Sequence, residues 1–216
     1  MLQNRVDPYG NIIRTPARGN WTGNRGVLHN GDKQIVRLFK LKAWITCVLE
    51  HKGIRRQVMT PDRWTELFFR DEATSFSAGH RPCCECRRTD FNNFKHFWLK
   101  GNSEYGFNER VSIQEIDKIL HAERILKNGS RIFHEEAIDT LPDGTFIEWK
   151  GSPGLILNGL VFPWSPGGYS KSEKFEGNGL TKVLTPRSIV NTFRAGYCPQ
   201  IIMELPNTAG IVSESL

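Results

Sequence analysis

Hydrophobic and polar positions follow two different periods along this chain, and the changes of period predict a mixed α+β fold. Alternation over Ile35–Phe39 and again over Trp44–Leu49 predicts two strands, which places Cys47 within or at the end of the second. Lys52-Gly53 reads as a turn into another short strand, so a hairpin is expected to present Cys47 and His51 near its turn. The period then becomes helical. Thr60-Pro61 is an N-cap followed by a first-turn proline, with Trp64, Leu67 and Phe68 on one face. Asp71 caps a short helix that stops at Gly79. Thr89 or Asp90 caps a third helix, which carries Phe91, Phe94 and Trp98 as core positions and closes at Gly101. Ser112-Ile113-Gln114-Glu115 is a capping box opening a helix to about Lys127, with Ile113, Ile116, Leu120 and Leu126 as its apolar stripe. From Arg131 the signals are strands and turns, interrupted by a rigid loop at Pro163–Tyr169 with exposed aromatics. Thr185-Pro186 then caps a last helix, which ends at Ala195-Gly196.

These elements divide into an irregular basic N-terminal arm (1–31), a strand-and-helix module (32–101), an α+β C-terminal lobe (111–205) and a tail (206–216). The polar, Gly/Asn-rich stretch 101–110 is the internal boundary. Charge sharpens the division. Residues 1–110 hold 19 Lys+Arg against 11 Asp+Glu, a balance of +8, whereas residues 111–216 hold 10 against 12, or −2. A basic half beside a neutral one points to a polyanion, with nucleic acid first. The N-terminus lacks an apolar signal core and no apolar run reaches the ~20 residues that span a bilayer. A soluble cytoplasmic protein without a membrane partner is therefore expected.

Three of the five cysteines cluster in Arg81-Pro82-Cys83-Cys84-Glu85-Cys86-Arg87-Arg88, a pattern unlike a secreted disulfide framework. Cys83 and Cys86 have the spacing of half a tetrahedral zinc site, and Cys47-x3-His51 upstream supplies a second half. The fourth ligand stays open among His51, His80 and Cys84. Arg81, Arg87 and Arg88 flank the cluster, and with Arg55 and Arg56 they are candidate phosphate contacts.

The run from Glu72 through Ala78-Gly79-His80-Arg81-Pro82-Cys83-Cys84-Glu85-Cys86 resembles the second half of the Ada-type metal-binding domain, whose earlier ligand pair lies about thirty residues upstream. The resemblance covers roughly residues 47–88. It implies Cys47, Cys83 and Cys86 as zinc ligands, with His51 standing where the family has its second cysteine, and it favours DNA over RNA as partner. In Ada proteins one zinc-bound thiolate, at the position of Cys47, accepts a methyl group from a DNA phosphotriester. Here a histidine ligand would leave the site less anionic, and the chain lacks a helix-turn-helix segment and a Pro-Cys-His motif. Structural zinc is therefore the expectation.

A second group shares the 112–127 helix: Asp117, His121 and Arg124 lie on one face and Glu123 on the apolar stripe. With His29 or His134 they are the candidate residues of a hydrolase or nuclease. No HExxH, phosphate-binding loop, dinucleotide fingerprint or GxSxG is present. Three functions result: a zinc-stabilised nucleic-acid-associated protein, a metal-dependent or His/Glu-based hydrolase, and a zinc-stabilised scaffold binding a protein through Trp164–Tyr169.

Overall fold

A computed structural model describes residues 1–53 and 57–203. Among these residues the fold is α+β, with two six-stranded sheets and four α-helices. The first sheet contains β1 (Gln3–Val6), β2 (Ile12–Arg14), β3 (Trp21–Asn24), β4 (Ile45–Cys47), β5 (Leu67–Phe69) and β6 (Arg81–Pro82), in the order β2-β1-β5-β3-β4-β6. The second contains β7 (His134–Ala137), β8 (Phe146–Trp149), β9 (Ser152–Leu157), β10 (Leu160–Ser165), β11 (Gly168–Tyr169) and β12 (Leu180–Val183), in the order β11-β10-β9-β8-β12-β7. The helices are α1 (Glu72–Ser77), α2 (Arg88–Gly101), α3 (Ile113–Arg124) and α4 (Arg187–Arg194). None of the described helices is long and apolar enough to cross a membrane.

Local chemistry accounts for the helix ends. Asp71 Oδ1 accepts from both Thr74 N (2.9 Å) and Thr74 Oγ1 (2.7 Å), which fixes the start of α1. Gly79 at φ +85° ends it, a conformation that costs glycine little. The four helices bury Phe76, Phe94, Trp98, Ile116, Leu120, Ile189 and Phe193 against one another.

Four sequence expectations are corrected. Residues 1–31 are no irregular arm: β1, β2 and β3 lie there, β1 and β3 flank β5, and Arg25 is fully buried. No helix begins at Thr60-Pro61, because Met59 and Asp62 take positive φ values (55° and 60°) that break a helical path. Leu67–Phe69 pairs with β3 instead. Residues 35–39 form no strand, and Val36 and Leu38 point to solvent (54% and 48% exposed). Pro163–Tyr169 is a tight β10–β11 hairpin in which Tyr169 is buried, donating to Asp71 Oδ2 at 2.6 Å. The tail 206–216 lies outside the described residues.

Candidate metal centre

Register brings the cysteines together. β4 is an inner strand, antiparallel to β3 and parallel to β6, rather than half of a hairpin. Ile45 sits beside Arg81 and Thr46 beside Pro82, and Cys83 N donates to Thr46 O at 2.9 Å. The next residue of each strand is thus a cysteine, Cys47 and Cys83. The chain then turns tightly, Arg87 N donates to Cys83 O (3.2 Å), and α2 begins with Cys86 carried back over the turn.

The three sulfurs lie within 4.8 Å of one another. Tetrahedral coordination at Zn–S distances of about 2.3 Å puts sulfurs about 3.8 Å apart, so the set is compact enough to hold one ion. All five cysteines are free. Main-chain N–H groups point at the sulfurs: Glu85 N lies 3.5 Å from Cys83 Sγ, Cys86 N also bonds it, and Val48 N bonds Cys86. Such donors favour thiolate over thiol. The hydrogen bond from Cys47, with those from the Cys86 and Glu85 amides, holds the Cys83 thiol below its ordinary range, while burial opposes it. Cys47 is pushed up by the same bond, by burial and by repulsion from Cys83 and Cys86, and Cys86 is raised mainly by burial. Thiols this close resist ionising together unless a cation replaces their protons. Thr46 is fully buried beside them, and Cys83 is 8% exposed.

The centre forms one wall of a cavity of about 590 Å³. His51 lines that cavity and its Nε2 is buried without a hydrogen-bond partner, although it lies outside the group of atoms within 4.8 Å. The other two candidates for fourth ligand are elsewhere. His80 is fully buried in the first sheet's core, its Nε2 accepting from Arg25 Nε (3.2 Å) and its ring against Phe69 (4.6 Å) and Trp44 (5.2 Å). Cys84 is exposed and outside the sulfur group.

Two flanking arginines prove structural rather than phosphate-facing. Arg81 is 4% exposed and grips Asp117 with two bonds (2.8 and 2.7 Å). Arg87 is 3% exposed, pairs with Glu72 and Asp90, and lies 4.1 Å over the Trp21 ring. Breaking either buried pair from one side costs about 3–5 kcal/mol, because the other charge is stranded. Arg88 is exposed, and Arg55 and Arg56 lie outside the described residues.

The hydrolase candidates are not assembled into one site. Asp117 is bound to Arg81. Glu123 accepts from Ser188 N (3.1 Å), Ser188 Oγ (2.6 Å) and Tyr105 OH (3.3 Å) at the start of α4, which satisfies its carboxylate on the apolar stripe. His121 packs against Phe39 (4.9 Å) and bonds Arg124. His29 bonds Thr65 (2.6 Å), and His134 lies on β7 near Glu136.

Sequence reading missed two features. One is a buried cationic knot in which the guanidiniums of Arg25 (4.0 Å) and Arg124 (3.9 Å) lie over the Trp44 ring, their terminal nitrogens donating to main-chain carbonyls while Arg124 Nε has no partner. The other is the polar part of the cavity, Asn24 and Glu66, each buried and drawn from separate strands or loops. Neither has a local sequence signal.

No family model, curated protein or solved structure matches the chain.

Proposed function

We propose that the chain holds one zinc ion through Cys47, Cys83 and Cys86, with His51 as the fourth ligand, and that this centre fixes the edge of the first sheet to the start of α2. The observation carrying the reading is the meeting of three free sulfurs within 4.8 Å, supplied by β4 and by a turn lined with main-chain N–H donors. Three thiolates select a soft or borderline ion over calcium or magnesium, and an imidazole suits zinc. His51 has a buried, unpartnered nitrogen and lines the same cavity as the three sulfurs. The Ada-type resemblance agrees with this ligand set. Methyl transfer is not proposed, since it would turn one of three anionic ligands of a structural centre into a neutral, weaker thioether.

Elemental analysis of protein purified without chelators is expected to give about one zinc per chain. Cys83→Ser and Cys86→Ser should lose it and melt lower, His51→Ala should hold it about tenfold more weakly or worse, and Cys198→Ser should match wild type. Metal-free wild type with equal melting temperatures across the set rejects the centre.

A second reading, association with nucleic acid, is favoured by one observation. Arg37, Lys40 and Lys42 are exposed on the segment joining β3 to β4, whose backbone is held by Val36 N→Leu28 O (2.9 Å) and by Lys40 N and Leu41 N→Arg25 O (2.8 and 2.9 Å). A triple charge reversal there is expected to abolish duplex binding at about 50 mM salt, where wild-type binding should weaken steeply as salt rises. Salt-independent binding, or a reversal without effect, ends this reading.

A further inference from the structure

We infer that the cavity beside the metal centre binds a small organic cation. Its volume of about 590 Å³ is in the range of small-molecule sites. Ile45, Val48, Leu49 and Val58 supply apolar wall, and beside Thr22, Asn24 and His51 the charged groups among its described lining residues are carboxylates. Glu50, Glu66 and Glu85 line it, and no Lys or Arg is among its described lining residues, in a chain of net charge +6. Three thiolates on a divalent ion add a further net negative charge to the same wall.

Glu66 is the residue that asks for a ligand. It is 6% exposed, and among the described residues its carboxylate receives one hydrogen bond, from Met59 N at 2.8 Å. A buried carboxylate is costly unless paired. Arg63 lines an adjoining cavity that shares Trp64 and Glu66, yet no ion pair joins Arg63 to Glu66 among the described residues. Glu85 has an exposed partner in Lys52 at 3.7 Å, which leaves Glu66 and Glu50 as the charges facing the cavity. An ammonium or amidinium on an apolar body answers both features: its charge meets Glu66, and its body covers the aliphatic wall. Carboxylates and phosphates are disfavoured by the same charges. The inference takes part of its charge from the zinc reading, and the two fail separately because zinc content is measured on the same samples.

The test is calorimetric titration of the full chain, with zinc content known, using benzylammonium, neutral benzyl alcohol and benzoate as probes. Benzylammonium is expected to bind at least about tenfold more tightly than the other two, and Glu66→Gln to remove about that factor while zinc content is unchanged. Should Glu66→Gln fold poorly by circular dichroism, the exposed Glu50→Gln carries the same comparison with a smaller loss. Equal affinity for benzylammonium and benzyl alcohol overturns the inference by making the cavity merely apolar. So does an absence of benzylammonium binding to the wild-type chain. Zinc present without cation binding defeats this inference alone; cation binding lost in Glu66→Gln without zinc defeats only the metal reading.

Discussion

His121 and His134 each sit where a proton is unwelcome. Burial, then the charges of Arg124 and Lys42, bring His121 down to about 4; burial, then Arg187, brings His134 to about 4 against a smaller pull from Glu136. His80, enclosed by Arg25, Arg124 and Arg131, is also held well below its ordinary value, by burial first and those cations second. An unfolded chain protonates these imidazoles near pH 6.5, whereas in the folded chain His121 and His134 stay neutral until about 4. Between those values the unfolded state binds more protons, so the histidine contribution is complete above about 6.5 and is lost as pH falls. Buried Asp71, Glu72 and Glu123, all raised chiefly by burial, have the opposite sign, because they take up protons in the folded state first. Differences between variants therefore isolate the histidines. Urea titrations at about pH 7 and about pH 5 are expected to show a smaller stability loss for His134→Gln and for His121→Gln than for wild type. Parallel losses would assign the acid sensitivity elsewhere.

Among the elements, α2 and α4 meet at an unusually close crossing. A Cβ on Gly101, the last residue of α2, would lie 2.3 Å from Asn191 O and 3.2 Å from Ala195 Cβ, so backbone meets backbone there. Asn102, 1% exposed, ties the same crossing by donating to Trp98 O (2.8 Å) and Ser188 O (3.0 Å). Alanine is the better helix former by about 0.8–1.0 kcal/mol, so propensity alone predicts that Gly101→Ala stabilises. The contact predicts the reverse, since α4 would have to move away from Phe94 and Trp98. Overpacking of this kind costs about 1–3 kcal/mol, and thermal melting of Gly101→Ala is expected to fall accordingly. A melting temperature at or above wild type would mean that the crossing relaxes freely. The sheet that carries the metal centre shows the same dependence on partners. Trp64, Leu67 and Phe68 have helical spacing, yet the backbone hydrogen bonds offered by β3, together with left-handed residues at 59 and 62, draw Leu67–Phe69 into a strand. Spacing of three apolar residues is a weak constraint beside a complete ladder.

At the scale of the whole molecule, side-chain bonds between distant parts of the chain tie its two halves together, at buried carboxylates on Asp71 and Glu72 and at the more exposed Glu148. Asp71 accepts from Tyr169 OH (2.6 Å), Glu72 from Tyr197 OH (2.9 Å) and Gln200 N (2.8 Å), and Tyr9 donates to Glu148 (3.0 Å). The charge contrast between residues 1–110 and 111–216 is real in the sequence, but the helices from both parts share one core through Phe76, Trp98, Ile189 and Phe193. Several elements were legible beforehand because their signals are local: the Asp71 cap and Gly79 stop of α1, the close of α2 at Gly101, the start of α3 at Ser112, and the strands β8, β9, β10 and β12. The proximity of Cys83 and Cys86 was equally legible, since a two-residue spacer leaves a tight turn little freedom. The Ada-type resemblance implies Cys47 beside them, and what lay beyond reach was how the segments become neighbours. Cys47 meets Cys83 only because β4 and β6 pair in one register, and the Cys-flanking Arg81 and Arg87 turn inward only because Asp117 and Glu72 wait there. By itself, then, the sequence determined the α+β class, the Asp71 cap and the thiol-rich turn, because those follow from backbone propensity and short-range sterics. The tertiary structure alone decided by which strand pairing Cys47 reaches the other two sulfurs, the cavity beside them and which charges remain in water, because burial and strand register are properties of the assembled chain.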